Sequence, residues 1–452
     1  MTLTLGAVAS HVTGAPPADL ARLRAGVQDW FADNEVNFGV VAGDRVVQRP
    51  IPMDPLPRRI PRAEWARLER GLLQRVMALD EFVRDVFDGQ RILRAGRVPS
   101  SVVYSSPAFL RYASGGAARR KGQVCVAGVD LVRVDGEWLV LEDNLRVPSG
   151  IAYALAARRA MTEVDRDTTR DALLRPISEY PKRLAAALRG RAPHDGLAVV
   201  LTPGPYNAAY YEHRELARQM DCRLVNNHDL IASHRGCWLQ EGSRRYPVST
   251  IYHRYSPEYL DPVGGAPDSL IGIPALLAAW RGGNLGLANA PTCGVADDKS
   301  IFPFVPEMIR YYLGESPILD QPPTLDLTDP VHAARALDAF GDHVFKPVDG
   351  SGGKGIVFGP TAGELERAAV MTTALTRPSS LIAQPALEID RLPCVAADGS
   401  IEYRRCDLRP FVVLGDEPWV VPGGLTRVAP DGDSYLVNSS AGGGIKDTWV
   451  EA

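Results

Sequence analysis

Apolar and polar residues alternate from Val124 to Asn144, in VCVAGVDLVRVDGEWLVLEDN, on both sides of Asp135-Gly136. A period of two marks half-buried strands, and Asp-Gly favours a tight two-residue turn, so the stretch predicts a β-hairpin. Residues 61–95 carry a different rhythm. Trp65, Leu68, Leu72, Val76, Leu79, Phe82, Val83 and Val86 recur on one face of a 3.6-residue period. That predicts a long amphipathic helix with its Arg/Glu face in solvent. Residues 102–113 predict a helix capped by Ser105 or Ser106, with Pro107 in its first turn. Residues 150–190 read as helix. The first sixty residues predict a short hairpin around Gly43-Asp44 and a Pro-rich connection, with no legible chemistry.

From Leu197 to about residue 297, short apolar runs alternate with helical ones such as AAYYEHRELARQM and SLIGIPALLAAWRGG. This alternation predicts an α/β fold with a parallel, doubly wound sheet. Ligands bind at the carboxyl ends of such strands, which places the loops at Tyr206–Asn207, Arg254 and Asn289–Thr292 on one edge. The last third opens with a helical pattern over SIFPFVPEMIRYYL. A strand then delivers Lys346 to a glycine-rich loop, Gly350 to Gly355. Two further strands carry Arg409 and Arg427, and a second glycine-rich edge follows Asn438.

A chain of 452 residues is long enough for two or three domains. Its net charge of −4 argues against bulk nucleic-acid binding. No apolar run approaches a membrane span, and MTLTLGAVASHVTG lacks the pattern of a signal peptide. The six cysteines form no CxxC pair, which disfavours zinc and a disulfide framework. The expected setting is cytoplasmic, with no membrane and no nucleic-acid partner.

The chemistry concentrates in three places. Glu142 and Asn144 are two residues apart, so in a strand they point the same way and Asp143 points away. A hairpin folds Asp130 back towards them. Two carboxylates and an amide oxygen suit Mg²⁺, which takes its remaining ligands from water and phosphates. Arg146, just beyond, is a candidate phosphate contact. Lys346 with Gly350, Ser351, Gly352, Gly353 and Lys354 is a candidate phosphate cradle, because glycine lets backbone amides approach an anion. It is not a P-loop, since neither the GxxxxGK[ST] order nor a following helix is present. Gln384 and Glu388 lie where a strand gives way to a polar, extended link, and are candidates to hydrogen-bond the edge of a base such as adenine. There is no GxSxG, and the cysteines sit in apolar strand-like settings, so a side-chain nucleophile is not indicated.

Taken together these pieces resemble the ATP-grasp family in its circularly permuted, type 2 branch. An ordinary member runs from a strand lysine and glycine loop, through a Gln/Glu hinge, an Asp-Ile-Arg strand and an Asn-x-x-Gly-Gly loop, to Gly-Val-Asp and Glu-x-Asn. Here Lys346, Gly350–Gly355, Gln384–Glu388, Asp407-Leu408-Arg409 and Asn438–Gly444 close the chain, while Gly128-Val129-Asp130 and Glu142-Asp143-Asn144 stand at its front. LTPGPYNAAYYEH, GNLGLANAP, GVADDK, KPVDGSGG, DLRPF, PGGLTRVA and NSSAGGG extend the likeness from about Pro50 onward. The spacing is also similar to that of glutathionylspermidine synthetases.

The resemblance implies a circularly permuted ATP-grasp core with a Rossmann-like unit before it. The expected division is 1–195 (helices and metal hairpin), 196–297 (Rossmann-like unit) and 298–452 (ATP-binding lobe). It implies an ADP-forming carboxylate–amine ligase using ATP and Mg²⁺. Carried over, Asp130, Glu142 and Asn144 would hold Mg²⁺. Lys346 and the loop would hold the phosphates, and Gln384 and nearby backbone the adenine. Arg409 would stabilise the transferred phosphoryl group. Whether Lys354 is the second nucleotide lysine stays open. Arg146, Arg254 and Lys446 complete the catalytic candidates, and Ser149, Tyr206 and Asn207 are candidate substrate contacts. The partners implied are a small carboxylate, such as an amino acid or peptide, and an amine. A homo-oligomer and a carrier protein are compatible.

Overall fold

The computed structural model describes residues 15–42, 45–114, 122–348, 350, 353–437 and 442–452. Val126–Val134 and Glu137–Asn144 form the predicted antiparallel hairpin. Its turn residues, Asp135 and Gly136, both have positive φ. A tight turn matched to strand twist requires that conformation at both positions.

The hairpin does not stand alone. Among the described residues it belongs to a nine-stranded sheet drawn from both ends of the chain. Leu131 pairs with Leu408 of Ile401–Arg409, and Gly128 with Phe411 of Phe411–Val413. Leu425–Val428 and Gly444–Val450 continue the sheet, and the last of these runs parallel to Met53–Ile60. Backbone hydrogen bonds thus interleave front and back strands, as a circular permutation requires.

Against this sheet packs the helix Arg62–Phe87. All eight residues of the predicted apolar face are buried. The helix ends well before residue 95, at Phe87, and the Asp85 carboxylate accepts from the amides of Arg91 and Ile92 just beyond it. The expectation of a solvated polar face needs correction, because Gln74, Arg75 and Asp85 are buried. Arg75 is 1% exposed and grips Asp143 from behind the hairpin. The helix expected over 102–113 is also displaced, to Ser100–Ser105. Pro107 forces Ser106 into an extended conformation, so it ends a helix rather than starting one. Residues 150–190 break into Ile151–Val164, Arg166–Asp171 and Tyr180–Arg189.

In the middle of the chain, Arg223–Val225, Leu197–Leu201, Arg244–His253 and Gly286–Ala288 run parallel. The unit is mixed rather than wholly parallel, because Leu230–Ser233 and Gly236–Glu241 add an antiparallel pair. Two connecting residues, His234 and Arg235, are too few for the crossover a parallel pair needs. Among the described residues of SLIGIPALLAAWRGG, only Leu276–Arg281 is helical.

Among the described residues a four-stranded antiparallel sheet, Leu325–Asp326, Leu381–Pro385, His343–Pro347 and Val357–Phe358, forms the back lobe. It packs on its own apolar cluster, including Phe340, Phe345 and Val370. No helix among the described residues is long and apolar enough to cross a membrane.

Candidate active site

The front hairpin and the back lobe face each other across a cavity of about 330 Å³. Asp130, Glu142, Asn144, Arg146, Asp297, Lys346, Gln384, Asp407, Arg409 and Arg427 supply its polar wall, and Gly350 and Gly353 reach it from the glycine loop. Strand register explains the convergence. Asp130 pairs directly with Glu142, and Gly128 with Asn144, so the three side chains share one face. A register shift follows Asp130, where the strand bends. Asp143 points away, as its parity requires, and takes two bonds from Arg75 at 2.7 and 2.6 Å.

Asp130 sits in a knot of charge. Arg409 donates to it through Nε at 2.5 Å and Nη2 at 2.7 Å, and Arg427 through Nη2 at 2.8 Å. Arg427 also holds Asp407, at 2.9 Å through Nε. Burial alone would raise the Asp130 carboxyl, but the Arg409 and Arg427 guanidiniums overcome it and hold the group below the usual carboxylate range. For Asp407 burial wins over Arg427, and its carboxyl is pushed up.

The lysines mark the opposite wall. Lys346 Nζ donates to Gln384 Oε1 at 2.6 Å, and Gln384 Nε2 donates to Thr324 at 2.8 Å. Burial pushes the Lys346 ammonium down to about 8, against the pull of Glu142. Lys299 Nζ lies 2.7 Å from Glu142 Oε1 and donates to the Gly350 carbonyl at 2.6 Å. This lysine therefore ties the hairpin to the glycine loop.

Oxygen donors dominate the site, and a divalent hard cation fits them. Asn144 Nδ2 is buried without a hydrogen-bond partner, an orphan that a ligand's acceptor would satisfy. Asp130 accepts three arginine bonds, which leaves about one of the roughly four acceptor sites of a carboxylate. Among the described residues no group of three or more His, Cys, Asp or Glu could hold a metal ion. The protein offers a partial oxygen shell, of the kind Mg²⁺ completes with water and phosphate.

Several expected site residues lie elsewhere. Lys446 is 1% exposed, and its ammonium is taken by Asp54 and by the carbonyls of Leu56 and Pro393, away from the cavity. Arg254 is buried and pairs with Glu212 at 2.6 Å. Glu388 bonds Arg405 at 2.9 Å, and Lys354 is exposed; neither lines the cavity. Tyr206 points to solvent, 85% exposed. Asn207 caps its own loop through the amide of Ala209. Arg146 does line the cavity, but Asp297 engages its Nε at 2.8 Å and raises its pKa. Ser149 lines it as well. Ser351, Gly352 and Asn438 fall outside the described residues.

Asp297 and Lys299 join the site without being singled out by residue type or spacing. The signal was present in GVADDK, a motif of the resemblance without a residue-level function. The opening segment, which carries no legible chemistry in its sequence, contributes Phe38 and Ile51 to the cavity lining.

Comparison with known proteins follows the same lines. A family model described as circularly permuted ATP-grasp type 2 matches residues 57–429. An uncharacterized protein of Mycobacterium tuberculosis is 42% identical over 444 residues, covering 96% of this chain and 80% of the relative. A protein of Frankia alni, provisionally named glutamate–cysteine ligase 2-3, is 41% identical over 423 residues. That match covers 92% of this chain but 49% of the relative, about half its length. Among solved structures, a glutathione synthetase-like effector from Globodera pallida superposes with a TM-score of 0.61 at 12% identity, over 96% of this chain and 98% of the other. At that identity the likeness speaks for the fold alone.

Proposed function

The chain belongs to the circularly permuted ATP-grasp type 2 family, and on that footing we propose that it is an ADP-forming carboxylate–amine ligase. The observation that carries the reading is the shared cavity, with Asp130, Glu142 and Asn144 on one wall and Lys346 on the other. The family and the ligase name of the Frankia relative support it. In the proposed reaction a substrate carboxylate oxygen attacks the γ-phosphorus of ATP, and the bond to ADP breaks. An amine then attacks the acyl carbon. A C–N bond forms, phosphate leaves, and the amine proton is lost to solvent.

Lys346 and Lys299 would face the phosphate chain, and Arg409 the phosphoryl group in transit. Asp130, Glu142 and Asn144 would hold Mg²⁺. When bound, the ion would neutralise phosphate charge. The residues' work is positioning and charge compensation, which suffices for phosphoryl transfer. Lys346 keeps the side chain of Gln384 occupied, which leaves the adenine to nearby backbone. The division into 1–195, 196–297 and 298–452 is part of this proposal, with first and third parts sharing the core sheet.

The decisive experiment supplies ATP, Mg²⁺ and a panel of carboxylates, with hydroxylamine replacing the natural amine. Hydroxylamine captures an acyl phosphate as a hydroxamate. ADP and hydroxamate in equal amounts are expected. ADP without hydroxamate would point to a phosphotransferase, and no ADP with any acid would overturn the reading.

A second result tests Lys346. An ammonium that titrates at about 8 is charged below that pH and neutral above it. Its hold on the triphosphate weakens as pH rises, so KM for ATP should grow about tenfold from about pH 7 to about pH 9. Lys346→Arg, charged throughout, should flatten that rise. An unchanged slope in the variant would assign the titration to another group.

A further inference from the structure

One end of the cavity lies beside Arg409. Arg409 Nη1 donates to the Ser149 carbonyl at 3.2 Å, and the neighbouring Gly150 lines the cavity together with Tyr153, Phe38, Ile51 and Leu425. The rings of Phe38 and Tyr153 meet edge to face, with centroids 5.9 Å apart. Their polar neighbours are already spoken for. The Tyr153 hydroxyl donates to the Asn37 carbonyl at 3.0 Å. The Ser149 hydroxyl accepts from Arg254 at 2.8 Å. The helix Ile151–Val164 begins here, and an open helix start would attract an anion. Glu212 closes it, accepting from the amides of Gly150 at 2.8 Å and Ala152 at 3.0 Å. Arg409 itself is engaged by Asp130.

We propose that this end of the cavity receives the substituent of the carboxylate substrate, and that the substituent is apolar, aromatic or branched aliphatic. The proposal rests on the ligase reading and specifies its substrate class. A second carboxylate, such as that of glutamate, would meet aromatic faces and a helix start already neutralised, and would lose hydration without compensation. An apolar group gains by leaving water against the same walls. The front segment thereby acquires a role, since Phe38 and Ile51 both come from it.

The test uses the full chain, ATP, Mg²⁺ and hydroxylamine, with 3-phenylpropanoate, 4-methylpentanoate and glutarate as acids. The two apolar acids should exceed glutarate in kcat/KM by about a hundredfold. Phe38→Ala should raise their KM about tenfold and leave KM for ATP unchanged, and Phe38→Leu should recover most of the loss. A preference for glutarate, or a Phe38→Ala effect confined to ATP, overturns the proposal. If no acid yields hydroxamate, the ligase reading fails separately. The pocket is then judged by calorimetric titration of the same acids in the presence of a non-hydrolysable ATP analogue. Binding of the apolar acids that Phe38→Ala weakens sustains it, and absence of binding refutes it.

Discussion

Glu142→Ala should lower ADP release at least about a thousandfold while the thermal midpoint moves by no more than about 2 °C. The two halves of this expectation come from different contacts. Structurally, Glu142 has one ion pair, to Lys299, and its side chain is 30% exposed. A pair with that much solvent contributes about 0–1 kcal/mol at most, so its loss barely touches stability. Catalytically, Glu142 is proposed to hold the cation that balances charge on the transferring phosphate. Removing charge compensation worth about 4 kcal/mol in the transition state slows the reaction about a thousandfold. Differential scanning fluorimetry and an ADP-release assay read the two halves separately. A variant retaining a tenth of the activity would remove Glu142 from the metal shell.

Arg254→Ala should do the reverse and damage the fold first. The guanidinium donates to Glu212, Ser149, the Pro148 carbonyl and the Tyr252 hydroxyl, at 2.6 to 3.0 Å. Both partners of the Arg254–Glu212 pair have fully buried side chains. Deleting one leaves a carboxylate buried without its counter-ion, which costs about 3–5 kcal/mol. Chemical denaturation should show that loss. The double change Arg254→Met with Glu212→Met should recover part of it, because no charge is then stranded. A stable Arg254→Ala protein with only a raised substrate KM would restore Arg254 as a direct substrate contact.

Arg254 and Lys446 show where sequence reading stops. Both were catalytic candidates because a cation beside a suspected site is a natural phosphate or carboxylate ligand. Nothing in the neighbouring residues distinguishes that use from a buried structural pair. The distinction lies with Glu212 for one and Asp54 for the other, the latter 392 residues away along the chain. Arg75 makes the same point in the opposite direction. Its helix phase, seven residues from both Leu68 and Phe82, puts it on the apolar stripe, and Asp143 on the hairpin supplies the partner that lets a guanidinium sit there.

Local order was read well where one short-range rule governs. Strand parity put Glu142 and Asn144 on one side and Asp143 on the other, and the 3.6 period selected eight helix residues that are all buried. The order of motifs, with Glu-Asp-Asn ahead of the strand lysine, already carried the permutation. Such features depend on residues a few positions apart, and backbone geometry alone fixes how they face. The pairing of Arg409 and Arg427 on Asp130, the bridge from Lys299 to Glu142, and the closing of a helix start by Glu212 belong to another class. Whether a charge is spent or free depends on its neighbour in space, and folding, not spacing along the chain, supplies that neighbour.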